Sequence, residues 1–214
     1  MASTDIDTPH GPARVVNLHP VRKPKASLLL THGAGGGIDA IDLMALAEAL
    51  PQHGFDVQLL EMPWRVAGKK VAARPAVLDE CFRAAYAAVD LSGPVVIGGR
   101  SAGARVACRL ATPLAVEGVL ALAFPLHPPG RPETSRLAEL ELPTCAQLVV
   151  QGERDTFGGP GEFPPDRNLV AVPYADHSLK VPQRAPVTQE ATLDHVVTTV
   201  SDWLHLTFAE PAAE

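Results

Sequence analysis

The stretch of sequence that decides the fold is residues 94–107, PVVIGGRSAGARVA. The apolar run Pro94–Ile97 predicts a short β-strand, and the apolar spacing after the glycines predicts a helix. Between them, Gly99–Gly103 matches the pattern G-x-S-x-G, in which small flanking residues permit a sharp turn that raises the serine hydroxyl above the sheet edge. Ser101 is therefore the candidate nucleophile. The alternative is a glycine-rich turn that contains a serine by chance.

Apolar runs of strand length alternate with segments of helical period along the rest of the chain. The further predicted strands are Ala26–Thr31, Phe55–Leu60, Gly118–Phe124, Ala146–Val150 and Asn168–Val172, with Ala13–Leu18 as an earlier candidate. This alternation is typical of a mostly parallel sheet with helices on both faces. We therefore expect an α/β fold with one domain at residues 13–209, between flexible termini at residues 1–12 and 210–214.

The predicted helices carry apolar stripes that indicate which side faces the sheet. Cys81 belongs to one stripe, and Cys108 lies on the helix that follows Ser101, so we expect both thiols to be buried packing groups. A closing helix is predicted from the spacing of Val196 and Val200, with Thr188 as its N-cap.

Composition narrows the class of protein. The chain has 214 residues, 46% of them hydrophobic, and a formal net charge of −6, so one core is expected and no basic block is available for a nucleic acid. The three cysteines are scattered and form no disulfide framework or CxxC pair. The N-terminus lacks a secretory pattern, and no apolar stretch approaches the roughly 20 residues that span a bilayer. We expect a cytoplasmic protein without a nucleic-acid or membrane partner.

A serine hydroxyl needs a base and an acid that orients the base. In a strand-turn-helix serine site the acid is expected next in sequence, and Asp155 follows the predicted strand Ala146–Val150 directly. The carboxyl ends of parallel strands are where ligands bind in such sheets. Glu153 and Asp166 are the alternatives, the first too close to the strand end and the second within a proline-rich loop.

The base is expected last in sequence, after the acid. His177 follows the predicted strand Asn168–Val172, at the same sheet edge as the serine. Of the other histidines, His127 precedes the acid and His195 lies inside the closing helix, so neither fits this order. Asp176 is interpreted as a carboxylate that shapes the turn.

Donors for an oxyanion are predicted at a glycine-rich loop. Residues 32–37, HGAGGG, follow the strand Ala26–Thr31, and glycines allow backbone N–H groups to face a ligand. The amides of Ala34 and Ala102 are the candidates. A phosphate-binding loop is the alternative, but the segment has neither a Walker-type Gly-Lys-Ser/Thr nor a spaced G-x-G-x-x-G pattern.

Six segments together carry a family resemblance. They are LLLTHGAGGG at 28–37, PWRVAGKKVAARPA at 63–76, GGRSAGARVACR at 98–109, FPLHPPGRPE at 124–133, VVQGERDTFG at 149–158 and ADHSLKVP at 175–182. Over roughly residues 25–208 the chain resembles the α/β-hydrolase superfamily. More narrowly, it resembles a branch of dienelactone-hydrolase-like bacterial proteins related to the hydrolase-like subunit of a histone-acetyltransferase complex. By matching motifs, the resemblance implies Ser101, Asp155 and His177 as nucleophile, acid and base.

Two departures limit what the resemblance implies. Dienelactone hydrolase uses a cysteine nucleophile, whereas this turn carries Ser101, so its substrate does not transfer. The N-terminal portion is also short, with Ala13–Leu18 as the earliest strand candidate. We therefore expect a reduced sheet of about six or seven strands and no inserted lid domain.

The substrate pocket must then be formed by loops at the carboxyl edge of the sheet. The long connection after Phe55–Leu60 supplies an apolar wall and cations, and neighbouring strand ends supply further groups; the candidates are Trp64, Arg65, Lys69, Lys70, Phe124, His127 and Phe157. A cation there could bind a carboxylate or phosphate of the substrate. The alternative is that these cations are solvated and that Arg65 pairs with Glu61.

The predicted activity is hydrolysis of a small ester, thioester or related acyl compound through a Ser-His-Asp triad, without a cofactor or metal. The expected partner is a small-molecule substrate, and the sequence does not determine an oligomeric state. The alternative is a non-catalytic hydrolase-fold protein that serves in interaction or regulation. The complete set of Ser101, Asp155, His177 and the glycine loop favours the enzyme.

Overall fold

The computed structural model describes residues 2–19 and 21–208. Its strands are β1 Ala2–Ile6, β2 Ala13–Asn17, β3 Ala26–Thr31, β4 Phe55–Glu61, β5 Val95–Arg100, β6 Gly118–Leu122, β7 Ala146–Gly152 and β8 Leu169–Val172. Its α-helices are α1 Ile41–Ala49, α2 Pro63–Val66, α3 Pro75–Ala88, α4 Ala102–Leu114, α5 Leu137–Leu140 and α6 Gln189–Thr207, with 3₁₀ turns at Leu50–His53 and Pro160–Glu162.

The described strands form one eight-stranded sheet in the order β1-β2-β4-β3-β5-β6-β7-β8. β1 and β2 pair antiparallel, β2 and β4 also pair antiparallel, and every pair from β4 to β8 is parallel. Because β5 lies among the parallel strands, its carboxyl end opens at the same edge as those of β3, β7 and β8. This arrangement confirms the expected mostly parallel sheet.

Apolar residues cover both faces of the sheet. On β3, Leu29 belongs to the core beneath α3 and α4, whereas Leu28 and Leu30 belong to the core beneath α1 and α6. Successive side chains of a strand point to opposite faces, so a strand between two helical layers needs apolar residues at consecutive positions. All three leucines are fully buried, which fixes the strand within the sheet.

The helical predictions hold where the structure describes them. Cys81 on α3 and Cys108 on α4 are both buried, and burial raises the pKa of the Cys108 thiol to about 12. The Thr188 side chain accepts a hydrogen bond from the Ala191 N–H at 3.1 Å, which confirms it as the N-cap of α6. Within residues 2–19 and 21–208, none of the helices has the length and apolar character needed to cross a membrane.

The N-terminal segment departs from the sequence-based expectation. Instead of a flexible terminus at residues 1–12, Ala2–Ile6 form β1 and pair along β2, so the sheet begins before residue 13 and has one strand more than expected. Ile6 is the buried residue of this strand. The expected flexible C-terminus at 210–214 lies outside the described residues.

Candidate active site

Ser101 lies between β5 and α4, in the strand-turn-helix arrangement that its motif predicts. Its backbone has φ +53° and ψ −113°, a conformation that residues with a side chain seldom adopt. The Ser101 N–H donates to the Leu122 carbonyl at 2.9 Å, which ties the turn to the end of β6. The turn thereby holds the serine at the carboxyl edge of the sheet.

The glycines of the motif are required by the close approach of β3. A Cβ atom at Gly99 would lie 2.2 Å from the Thr31 carbonyl oxygen, and one at Gly103 would lie 2.5 Å from the same atom. Both distances are far inside van der Waals contact. The end of β3 therefore excludes a side chain at positions 99 and 103.

Ser101, His177 and Asp155 form one hydrogen-bonded chain. The His177 Nε2 atom lies 2.9 Å from the Ser101 Oγ, and the His177 Nδ1 lies 2.7 Å from the Asp155 Oδ2. A carboxylate only accepts hydrogen bonds, so Nδ1 carries the proton and Nε2 is left to accept from the serine hydroxyl. The acid comes from the loop after β7 and the base from the loop after β8, so the structure brings together all three predicted residues.

The carboxylate of Asp155 is buried and well supplied with donors. Its Oδ1 accepts from the Phe157 N–H at 2.8 Å, and its Oδ2 also accepts from the Gln151 side-chain amide at 2.8 Å. Gln151 is fully buried on β7 and donates to the Gly158 carbonyl as well. No motif of the sequence points to Gln151, although a glutamine within an apolar strand is itself a signal.

Phe157 contacts the base directly. Its ring stacks on the His177 imidazole, with centroids 4.1 Å apart and planes inclined by 29°. The aromatic face shields one side of the imidazole from water and restricts its rotation. Phe157 is thus placed at the site, as the sequence predicts.

An open cleft of about 550 Å³ lies over Ser101. It is lined by Gly33, Ala34, Gly35, Gly36, Gly37, Asp39, Ala40, Ile41, Arg100, Ser101, Phe157, His177, Ser178 and Lys180. A Cβ atom at Gly33 would lie 3.3 Å from that of Ser101, so the glycine loop runs directly beside the serine. Within the described part of the chain, the backbone N–H groups of Ala34 and Ala102 donate to no protein acceptor. Ala34 lines the cleft, and Ala102 begins α4 directly after Ser101.

A family model for the alpha/beta hydrolase domain matches residues 24–205, which is most of the chain. The chain belongs to the α/β-hydrolase family. The matched range contains the glycine loop, the serine turn and the loops that carry Asp155 and His177. It therefore includes every residue of the hydrogen-bonded chain described above.

Solved structures share the fold of this α/β-hydrolase at low sequence identity. A serine hydrolase homologue from Coxiella burnetii has a TM-score of 0.73 at 16% identity, covering 93% of this chain and 97% of its own. A serine hydrolase without a lid from Xanthomonas campestris has a TM-score of 0.68 at 21% identity, with 98% and 96% covered. A thermophilic esterase from Thermogutta terrifontis has a TM-score of 0.66 at 16% identity, with 98% and 100% covered.

His32 shapes the glycine loop of the hydrolase. It is buried, its Nδ1 lies 2.8 Å from the Gly33 carbonyl, and its Nε2 accepts from the Met62 N–H at 3.1 Å. Burial lowers the pKa of His32 to about 4, and the nearby positive charge of Arg65 acts in the same direction. The imidazole is therefore neutral at pH 7 and joins the glycine loop to the start of α2.

The cleft over Ser101 is not lined by four of the predicted pocket residues, Trp64, Lys69, Phe124 and His127. Trp64 is buried with its ring edge-on to His32 at 5.1 Å, and it borders a different cleft together with Lys69. The His127 Nε2 lies 3.0 Å from the Glu162 carboxylate, and its Nδ1 lies 2.9 Å from the Pro128 carbonyl. Neither Trp64 nor His127 lines the cleft over Ser101, because packing turns both side chains away from it. Phe124 is likewise fully buried in the core beneath α3 and α4.

Arg65 contacts the glycine loop at Gly37 but is not among the residues that line the cleft over Ser101. Its Nε and Nη2 atoms are 3.6 and 3.5 Å from the position that a Cβ at Gly37 would occupy. Among the described residues it forms neither a hydrogen bond nor an ion pair, and its Nε is buried without a partner. The alternative pairing with Glu61 is not formed, since Glu61 instead faces Arg14 at 4.0 Å.

Proposed function

We propose that this α/β-hydrolase is a serine hydrolase that cleaves a small ester, thioester or related acyl compound through an acyl-enzyme intermediate. The observation that carries the proposal is the 2.9 Å contact between the Ser101 Oγ and the His177 Nε2, with Asp155 hydrogen-bonded to the opposite nitrogen. This is the geometry that converts a weakly nucleophilic hydroxyl into an activated one.

Acylation follows from the positions of these atoms. The Ser101 Oγ attacks the substrate carbonyl carbon while its proton passes to the His177 Nε2, and the carbonyl oxygen gains negative charge. The N–H groups of Ala34 and Ala102 donate to that oxygen, and the N-terminal end of α4 adds a favourable dipole. When the bond to the leaving group breaks, the leaving group takes the proton from His177. The acyl group remains on Ser101.

Deacylation repeats these steps with water. A water molecule gives one proton to the His177 Nε2, and its oxygen attacks the acyl carbon. The Ser101 Oγ then leaves as the carboxylic product forms and recovers the proton from the imidazolium. The Asp155 carboxylate stabilises the imidazolium, a role that suits a buried carboxylate that accepts from three hydrogen-bond donors.

We propose Phe157 and Arg65 as the substrate-binding side chains. Phe157 lines the cleft and presents an aromatic surface beside the base. Arg65 has an unpartnered guanidinium against Gly37, and a guanidinium is well suited to bind a carboxylate. The proposal favours acyl substrates that carry a carboxylate on the side of the glycine loop.

The Arg65 assignment is tested by substrate charge. We expect kcat/KM for a carboxylate-bearing acetyl ester to exceed that for a matched neutral ester, and this advantage to disappear in Arg65→Ala. Lys69→Ala is the matched control, because Lys69 follows on the same connection but borders the cleft of Trp64. An unchanged preference in Arg65→Ala, or an equal loss in Lys69→Ala, would show that Arg65 does not bind the substrate.

The activity itself is tested with a fluorophosphonate probe, which needs an activated hydroxyl and no knowledge of the substrate. We expect one probe molecule per wild-type chain, with loss of fluoride and a new bond from phosphorus to the Ser101 Oγ. Ser101→Ala should remove the label. Ser178→Ala should keep it, because this second serine lines the cleft but its hydroxyl bonds to no base among the described residues. Labelling that survives in Ser101→Ala overturns the assignment.

A non-catalytic role in interaction or regulation is the competing outcome. It would appear as a folded wild-type protein that the probe does not label.

We also propose a narrower family branch and a cellular location for this protein, each supported by sequence features. Membership of the dienelactone-hydrolase-like branch rests on the motifs from 28–37 to 175–182, and a cytoplasmic location rests on the scattered cysteines.

A further inference from the structure

Arg100 occupies the first x position of G-x-S-x-G, directly before the serine, and its side chain bridges two distant parts of the chain. The Arg100 Nε donates to the Asp42 Oδ2 at 3.0 Å, and the Arg100 Nη2 donates to the backbone carbonyl of His177. Asp42 lies in the first turn of α1, and its Oδ1 accepts from the Leu43 N–H at 3.0 Å. One side chain therefore connects α1, the serine turn and the base.

This ion pair lies out of solvent. The Asp42 side chain is 0% exposed and that of Arg100 is 12% exposed. A buried ion pair is a poor source of stability, because desolvation of the two charges offsets most of their attraction. The pair is therefore better explained by what the guanidinium holds in place, and it holds the main chain of His177.

Apart from Arg100, the loop of the base is held by its own residues, by the acid loop and by Gln189 at the start of α6, which bonds to the main chain of Leu179 and Val181. The Asp176 N–H donates to the Lys180 carbonyl and the Leu179 N–H to the Asp176 carbonyl, both at 2.9 Å. The Arg154 N–H donates to the Ala175 carbonyl at 2.8 Å, which joins this loop to the loop that carries the acid. These contacts define the shape of the loop and its distance from the acid. The bond from Arg100 ties it to the serine turn.

We propose that Arg100 is a positioning residue that sets the separation of the His177 imidazole from the Ser101 hydroxyl, and that Asp42 orients the Arg100 guanidinium for this role. The inference rests on the proposed function of Ser101 and His177. Arg100 adjoins the nucleophile in sequence and holds the main chain of the base. A displacement of either loop is therefore resisted by one shared side chain.

The test removes the ion pair of Arg100 and Asp42, and with it the bond to the His177 carbonyl, without leaving a buried charge. Arg100→Met alone leaves Asp42 buried and unpaired, so this variant is expected to lose stability and could fail to fold. The double variant Asp42→Leu/Arg100→Met removes both charges and keeps the experiment interpretable. Its matched control is Asp79→Leu/Arg109→Met, which removes a second part-buried ion pair, 2.7 Å long, away from the loop of the base. This control also breaks the contact of Arg109 with Glu139, but Glu139 keeps Arg105 as its partner.

In the double variant we expect thermal stability near that of the wild type, and kcat lower by about 10- to 100-fold, as small displacements of catalytic groups produce. KM should change little, and the control double variant should keep kcat. If the double variant keeps both the kcat and the thermal stability of the wild type, Arg100 and Asp42 do not position the base, and the proposal is overturned. A loss confined to KM would mean that Arg100 contacts the substrate instead, and would equally overturn the proposal.

A spectroscopic measurement separates this inference from the proposed activity. The proton on the His177 Nδ1, hydrogen-bonded to Asp155, should give a downfield NMR signal that does not require turnover. We expect that signal to shift or broaden in Asp42→Leu/Arg100→Met and to stay unchanged in Asp79→Leu/Arg109→Met. An unchanged signal in the first variant refutes the positioning role. A shifted signal in a protein that the fluorophosphonate probe does not label refutes the proposed activity alone.

Discussion

The loops that follow β6, β7 and β8 carry two histidine–carboxylate pairs, and these pairs differ in the partner of the second ring nitrogen. In one pair His177 contacts Asp155 at 2.7 Å, and its other nitrogen faces the Ser101 hydroxyl. In the other, His127 contacts Glu162 at 3.0 Å, and its other nitrogen lies 2.9 Å from the Pro128 carbonyl. The carboxylate of Asp155 is 0% exposed, whereas that of Glu162 is 49% exposed.

The comparison shows that a histidine beside a carboxylate is not by itself a catalytic base. The two ring nitrogens of His127 face the Pro128 carbonyl and the Glu162 carboxylate. These two groups fix the position of the ring, and neither carries a proton that His127 could take up. His177 has one nitrogen held by the acid and one facing a hydroxyl, which is the arrangement a general base requires. The chemical difference between the two pairs thus depends on one nitrogen.

The largest expected effect comes from exchanging each histidine for glutamine. His177→Gln removes the group that accepts the serine proton, and base and nucleophile act as a unit, so kcat/KM should fall on the order of 10⁴-fold or more. His127→Gln should leave kcat/KM near the wild-type value. Ester hydrolysis by the two purified variants measures this, and comparable losses in both would contradict the distinction.

The two carboxylates should differ next. In Asp155→Asn, one of the two carboxylate oxygens becomes an NH₂ group, which donates and cannot accept. If that group faces the His177 Nδ1, it favours the wrong tautomer of the base, and if it faces the Phe157 N–H, it leaves that donor without an acceptor. We expect kcat to fall about 10²- to 10⁴-fold while the fold is retained. Glu162→Gln keeps an oxygen for the Gly159 N–H and should keep kcat. Circular dichroism of both variants checks the fold, and near-normal turnover in Asp155→Asn would exclude Asp155 as the acid.

The smallest effect concerns stability and pH at the outer pair. The hydrogen bond to the Pro128 carbonyl, with help from Glu162, raises the pKa of His127 above 6.5 in the folded state. The Gly159 N–H and His127 lower the pKa of Glu162 below 4.5. The stabilisation by His127 is therefore present below pH 6.5 and is lost as the pH rises through the folded-state pKa of His127. The stabilisation by Glu162 is present above pH 4.5 and is lost as the pH falls through the folded-state pKa of Glu162.

The difference in Tm between the wild type and His127→Gln measures this effect. It should be largest at about pH 5 to 6, where both contributions are present, and should shrink at alkaline pH. The effect is small because Glu162 is half exposed and its charge is screened by water. A difference that does not vary with pH would show that His127 stabilises the fold by packing alone.

Local patterns account for what the sequence predicted correctly. The turn around Ser101 is specified by neighbouring residues, since Gly99 and Gly103 are needed where the chain passes β3. The loops of Asp155 and His177 were found because each directly follows a buried apolar strand, and parallel strands bring their carboxyl ends together. Chain order and strand position were therefore sufficient to identify the residues that meet at the serine.

Long-range packing accounts for what the sequence did not predict. The segment Ala2–Ile6 has a single buried residue and becomes a strand only because β2 offers a pairing edge. The sequence places Trp64 on the connection after Phe55–Leu60 and Phe124 at the end of a predicted strand, but the direction of each side chain depends on what packs against it. The contact between Arg100 and Asp42 joins residues 58 positions apart, and no local pattern indicates it.

The backbone of Ser101 has an evolutionary consequence. A φ of +53° costs a residue with a side chain on the order of 1 to 3 kcal/mol, a cost that glycine would largely avoid. Selection for thermal stability therefore favours glycine at position 101, whereas selection for catalytic activity favours serine. A population of variants screened only for survival at high temperature should accumulate glycine at position 101 and lose the hydroxyl. One screened for turnover must retain the serine and gain its heat resistance elsewhere in the chain.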